Sequence, residues 1–254
     1  MRVLIVGNSQ AGVLKSAHDA NPGILGVDPF FFVVPGGTGP YMRAEDDRMI
    51  VTGTIEGFPP RINPPEADSP LSTFDAVVVS ALGYADGGWR YQNPITTSAF
   101  VPDFSPKATG ELASPAAFRQ IVYGGLQKQL GFVFLDSLRA TYRGPIILQP
   151  FPRLSERLPE REDWQLRRDY DNFLEMHHLI ERARCDFLSA KAKELDIVLL
   201  PFPFEDPWWT PATMMRDDDM VHVNVKYGSL VLEQIAHALN AFGAGVDHGR
   251  TVAS

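Results

Sequence analysis

A serine near one end of the chain and an aspartate–histidine pair near the other are the residues whose types and spacing could do chemistry. Ser9 lies in Val3-Leu4-Ile5-Val6-Gly7-Asn8-Ser9-Gln10-Ala11-Gly12, where an apolar run gives way to a helical pattern. A serine hydroxyl is a poor nucleophile until a base takes its proton. The matching base is His222, in Asp219-Met220-Val221-His222, just ahead of the last helical stretch. On a turn, that spacing lets the carboxylate accept the Nδ1 proton while Nε2 faces outward as the base. This relay recurs in serine triads of unrelated chain order, and here the order would be Ser, Asp, His. Each part alone has a plain structural reading. Ser9 could simply cap a helix, and Asp-x-x-His is short enough to be an ordinary surface turn. Their joint occurrence beside the right elements carries the catalytic reading.

Those elements follow from the hydrophobic pattern. Apolar runs at Arg2–Val6, Pro29–Val34, Asp75–Ser80, Pro145–Leu148 and Ile197–Leu200 alternate with helical patterns. Such alternation predicts an α/β fold, a parallel sheet with helices on both faces. The unbroken Ala76-Val77-Val78-Val79 suits a strand buried on both sides. Helices are expected over Gln10–Ala20, from Ser114-Pro115 to about Tyr142 with a weak point at Gly124, Gly125 and Gly131, over Asp163–Leu195, and over Lys226–Phe242. Ser9 then sits at the carboxyl edge of the sheet, where ligands bind and a helix N-terminus favours developing negative charge. Residues 1–243 are expected to form one domain. Loop insertions fall near 39–72, with a hairpin around Met49–Ile55, and near 83–113. Residues 244–254 are expected to be a flexible tail.

Composition removes several classes of function. Across 254 residues the formal net charge is -8, and Arg161, Arg167 and Arg168 are interleaved with Glu162, Asp163 and Asp169. That is a solvated face rather than a phosphate track, so no nucleic-acid partner is expected. No run approaches the ~18 apolar residues of a membrane span. The N-terminus reads as a first strand rather than a secretion signal, which makes a cytoplasmic location the expectation. The single Cys185 excludes an internal disulfide and a multi-cysteine zinc site. Glu175-x-x-His178 has ligand spacing but no second copy, so no metal is expected. His177, in line with Phe173 and Ile180, reads as a core histidine. Trp208, Trp209, Trp89 and Tyr91 fall at the ligand edge, as pocket walls or as core.

At these residues the sequence resembles the SGNH (GDSL-type) hydrolases. Gly7-Asn8-Ser9 matches the family's serine block, with Asn8 where aspartate is common. Gly36 or Gly37 matches the glycine after strand two, and Asp219 with His222 matches the closing Asp-x-x-His. Asn224 and Tyr227-Gly228 are also typical of members. The resemblance implies a three-layer α/β/α sandwich with a flavodoxin-like sheet of five parallel strands. It further implies ester hydrolysis without cofactor or metal, and a small-molecule acyl ester as the partner. The third block departs: Gly83-Tyr84-Ala85-Asp86 puts Ala85 where the family has its oxyanion asparagine. Losing one such donor typically costs ~10²–10³ in rate. Gln10, Asn93 and Gln149 are the candidate replacements.

Three other readings compete. An O-acyltransferase could use the same acyl-enzyme. A binding protein could keep the fold with degraded catalysis. A dinucleotide-binding module would explain the glycines around Ser9, but it needs glycine at position 9 and an acidic residue after strand two. Instead Phe32-Val33-Val34 runs into Pro35-Gly36-Gly37.

Overall fold

The computed structural model describes residues 1–34, 42–51, 69–81, 99–100, 111–127, 130–217 and 219–246. Five strands form the central sheet: β1 (Val3–Gly7), β2 (Pro29–Val33), β5 (Ala76–Ser80), β8 (Ile146–Gln149) and β9 (Val198–Leu199). β3 (Met42–Glu45) and β4 (Arg48–Val51) form a separate hairpin, and β6 (Ala99–Phe100) and β7 (Glu111–Leu112) a short parallel pair. All neighbours are parallel, in the order β2-β1-β5-β8-β9. The expected five-stranded, flavodoxin-like sheet is therefore present. Counted within the sheet, the order is 2-1-3-4-5, not the 3-2-1-4-5-6 of dinucleotide-binding folds.

Alternation along the strands divides two cores. Leu4 and Val6 of β1, Val77 and Val79 of β5, and Ile146 and Leu148 of β8 enter one cluster. It includes Phe118, Val122 and Leu126 of α2 (Pro115–Gln127), Phe134, Leu135 and Leu138 of α3 (Leu130–Thr141), and Met176 and Ile180 of α5 (Phe173–Leu195). Val3, Ile5, Val78 and Ile147 point the other way. They meet Val13, Leu14 and Ala17 of α1 (Ser9–Ala20) and Val231, Leu232 and Ile235 of α6 (Val225–Val246). A sheet apolar on both faces needs a helical layer on each, which is the three-layer sandwich.

Three expectations are corrected in detail. The hairpin lies earlier, as β3 (Met42–Glu45) and β4 (Arg48–Val51). Its turn is Asp46-Asp47 with φ 49° and 61°. Two successive positive φ values make the tight turn that matches strand twist, and aspartate tolerates that region better than most residues. Asp47 is held there because its carboxylate accepts from the Ser72 N–H at 2.8 Å and its carbonyl from Leu71 N–H at 2.7 Å. The Asp163–Leu195 region is two helices, α4 (Gln165–Asp169) and α5, because the backbone turns extended at Tyr170, whose ring is fully buried. The closing helix runs on to Val246, past the expected start of the tail.

β1 ends on a glycine for a steric reason. A Cβ on Gly7 would collide with the Ser80 carbonyl oxygen and stand 2.8 Å from Ala11 Cβ. The backbone of β5 and the first turn of α1 close on this point. Gly7→Ala is expected to destabilise the protein by about 1–3 kcal/mol, the usual scale of overpacking, read as a lower denaturant midpoint at unchanged slope. An unchanged midpoint would contradict this packing.

Candidate active site

β1 delivers the chain to the carboxyl edge of the sheet, and α1 begins two residues later. The cap of α1 is Asn8, not Ser9: its side-chain oxygen accepts from the Gln10 N–H at 3.2 Å. Ser9 is the first helical residue, half-buried, and free of the capping duty that would explain a serine there. Its own N–H is one of those a helix start leaves over.

The Asp219–His222 turn is closed by backbone at its base. Met215 and Val223 form an antiparallel bridge, and the Arg216 N–H donates to the His222 carbonyl at 2.9 Å. Asn224 fixes it to the last helix. Its Nδ2 donates to the Thr213 and Met215 carbonyls, and its Oδ1 accepts from the Lys226 and Tyr227 N–H groups at the start of α6. Gly228 lets α6 approach α1, since a Cβ there would be 3.0 Å from Ala17 Cβ and from the Val13 carbonyl oxygen. Two close-packed helices thus carry the serine and the relay.

Within the turn, Asp219 Oδ1 accepts from the Val221 N–H at 2.7 Å and the His222 N–H at 2.9 Å. Asp219 Oδ2 lies 2.7 Å from His222 Nδ1. Burial pushes the Asp219 carboxyl upward, but the His222 and Val221 N–H groups and the His222 ring outweigh it and hold it below the ordinary carboxylate range. An ionised carboxylate only accepts, so the proton on the neutral ring sits on Nδ1 and Nε2 keeps its lone pair. The His222 side chain is 39% exposed, open to a reactant.

One side-chain bond joins the two ends of the site. Gln10, buried beside Ser9, donates through Nε2 to the carbonyl of Val221, beside His222, at 3.4 Å. Its Oε1 is buried without a hydrogen-bond partner. Gln149 is placed differently. It pairs in register with Ser80, accepts from Ser80 Oγ at 2.5 Å, and donates to the Pro150 carbonyl at 3.0 Å, all inside the core. Its oxygen ties β8 to β5, and its Nε2 is taken up by the carbonyl that follows it in the chain. Gly36, Gly37, Asn93 and the Gly83–Asp86 block with Ala85 lie outside the described residues. Just ahead of that block, buried Ala81 holds φ 50°, a left-handed conformation costly for a residue with a Cβ.

Sequence reasoning missed the supports on the other flank of the turn. The Ser155 N–H donates to the Met220 carbonyl at 3.0 Å. Ser155 also bridges Thr210, whose Oγ1 donates to the Arg153 carbonyl. These are mostly main-chain contacts, which leave no mark in residue types. His177 is a core histidine, as expected. It is fully buried, stacked on Trp209 at 4.1 Å, and burial holds its pKa below the usual value. His178 stacks on Trp208 at 4.2 Å. The two tryptophans therefore pack on α5, while Trp89 and Tyr91 lie outside the described residues. Among the described residues no helix is long and apolar enough to cross a membrane.

The depressed Asp219 carboxyl makes stability depend on pH. A group whose folded-state pKa is lowered adds stability above its unfolded value and loses it as pH falls through the folded one. Asp219→Asn is therefore expected to be less stable than the wild type at neutral pH, with the gap closing in strong acid. Urea midpoints across pH check this, and a gap that does not change with pH would contradict it.

No family model and no curated protein matches the sequence. A protein from Slackia heliotrinireducens, provisionally described as an SGNH hydrolase, is similar at 12% identity and TM-score 0.46, over 94% of this chain and 98% of that one. A lipase/acylhydrolase from Enterococcus faecalis is similar at 12% identity and TM-score 0.41, over 94% and 97%. A carbohydrate acetylesterase family member from Sinorhizobium meliloti is similar at 14% identity and TM-score 0.42, over 95% and 98%. The chemistry rests on this chain's own residues.

Proposed function

We propose that the chain is a serine-dependent hydrolase of SGNH type, acting on a short-chain acyl or O-acetyl ester through an acyl-enzyme. The observation that carries this reading is the 2.7 Å bond from His222 Nδ1 to an ionised Asp219, on a turn tied to the residue beside Ser9. Nothing in packing alone asks for an oriented imidazole there with Nε2 free.

In the first step Ser9 Oγ bonds to the ester carbonyl carbon as its proton passes to His222 Nε2. The electron pair of the carbonyl moves to oxygen, where the Ser9 N–H and that of Gly36 or Gly37 would receive the charge. Collapse breaks the bond to the alkoxy oxygen, which leaves as the alcohol with the proton from Nε2. Water then attacks the acyl-serine, giving its proton to His222. The carboxylic acid departs and the proton returns to Ser9 Oγ. Asp219 stays ionised throughout and holds the ring.

Gln10 takes the place of the missing asparagine in this reading. It follows Ser9 directly in the chain, and one of its two Nε2 hydrogens is left after Val221. Gln10→Ala is expected to lower turnover by ~10²-fold, the scale of one oxyanion donor, while Ala85→Asn leaves turnover unchanged or lower. A sharp rise in Ala85→Asn with an indifferent Gln10→Ala would mean the third donor is simply lost.

The test is incubation of the purified chain with a panel of short-chain acyl and O-acetyl esters, following acid and alcohol release. Free acid supports hydrolysis. Acyl groups found on an added alcohol, with little free acid, would reassign the chain as an acyltransferase using the same residues. Saturable binding of NAD, NADP or FAD in the micromolar range, about −8 kcal/mol, would reverse the reading.

A further inference from the structure

A cavity of about 380 Å³ opens beside the relay turn. That is at the lower end of the roughly 300–1,000 Å³ that small-molecule clefts occupy. Asp219, Met220 and Val221 of the relay turn line it together with Leu158 and Trp164. Leu158 and Trp164 are both largely buried. Trp164 is held edge-on by Phe173 at 5.5 Å, His177 at 5.6 Å and Trp209 at 5.9 Å, so its wall is fixed before any ligand arrives. Its indole N–H is buried and has no hydrogen-bond partner among the described residues, an exception among buried donors. A larger cleft of about 540 Å³, between β9 and α6, touches none of the candidate site residues.

Charge at the mouth narrows what can enter. Arg161 forms two 2.8 Å bonds to Asp163, which matches its charge. Among the described lining residues, Asp217 and Asp219 are left without a lysine or arginine of their own. The lining therefore combines apolar side chains with an excess of negative charge.

We propose that this cavity receives the alcohol part of the ester, as an uncharged, largely apolar group, and disfavours alcohols that carry an anion. The assignment of that part rests on the hydrolase reading. His222 must hand its proton to the departing oxygen, so the alcohol leaves on the side of the relay. Three consecutive residues of the relay turn line the cavity.

The experiment has a binding arm that needs no catalysis. 2-Naphthol is titrated into the wild type, Leu158→Trp, which enlarges a lining side chain outside the relay turn, and Asp217→Lys, which reverses an exposed lining charge. The wild type is expected to bind 2-naphthol saturably and to bind 6-hydroxy-2-naphthoate far more weakly. Leu158→Trp should weaken 2-naphthol by about tenfold or more, as crowding of an apolar pocket does. Asp217→Lys should bind 6-hydroxy-2-naphthoate severalfold better and leave 2-naphthol little changed. In the kinetic arm, Leu158→Trp should cut kcat/KM for 2-naphthyl acetate by the same factor, and by far more than for ethyl acetate. Absence of 2-naphthol binding to the wild type would overturn the proposal. So would a folded Leu158→Trp that binds it normally, or an Asp217→Lys with unaltered charge preference. Hydrolysis of neither ester, with the binding pattern as expected, would sink the hydrolase reading and leave the cavity's ligand class supported.

Discussion

Ser9→Ala is expected to lower ester turnover by about 10⁴-fold or more, the scale seen when the nucleophile of a triad is removed. Folding should barely notice. Asn8, not Ser9, caps α1, so alanine at position 9 removes no cap. The stability change should stay within about 0.5 kcal/mol, as for other substitutions that break no packing or hydrogen bond. Loss of activity without loss of stability is what separates a nucleophile from a structural serine. Parallel turnover assays and urea melts check both halves. A variant that unfolds, or that keeps its activity, would mean the helix start had been misread.

His222→Ala is expected to cost about 10⁴-fold or more as well, and Asp219→Asn about 10³-fold or more. The reasons differ. Without His222 no group takes the Ser9 proton. With asparagine at 219, the side chain can offer a donor to Nδ1, which favours the ring tautomer with its proton on Nε2, the wrong one for a base. The double variant should be little worse than His222→Ala alone, since the three residues act as a unit. Free imidazole should restore part of the His222→Ala activity and none of the Ser9→Ala activity. Steady-state assays with and without imidazole read this directly. Independent, multiplying losses would argue that Asp219 and His222 do not work together.

Much of this arrangement was legible because the sheet is buried on both faces. Continuous apolar runs such as Ala76-Val77-Val78-Val79 mark central strands, and all five fall within a residue or two of the observed positions. The Asp219–His222 bond was legible because a three-residue spacing on a turn leaves few geometries. Breaks inside helical patterns were harder to read. Nothing in Gln165–Leu195 announces that Tyr170 will leave the helix to bury its ring. The hairpin was displaced because its turn is Asp-Asp, held by Ser72 and Leu71 from a distant segment rather than by local glycine. Gln149 looked free in sequence, and only the register of β5 on β8 commits it to Ser80. Long-range pairing of this kind has no local signature.

The most direct test of the central claim is covalent. The purified protein is treated with a small fluorophosphonate, and the intact mass and peptides are read by mass spectrometry. A single adduct per chain is expected, on the peptide carrying Ser9, absent in Ser9→Ala and formed far more slowly in His222→Ala. An adduct on any other residue, or labelling that survives in Ser9→Ala, would contradict the assignment of Ser9 as nucleophile.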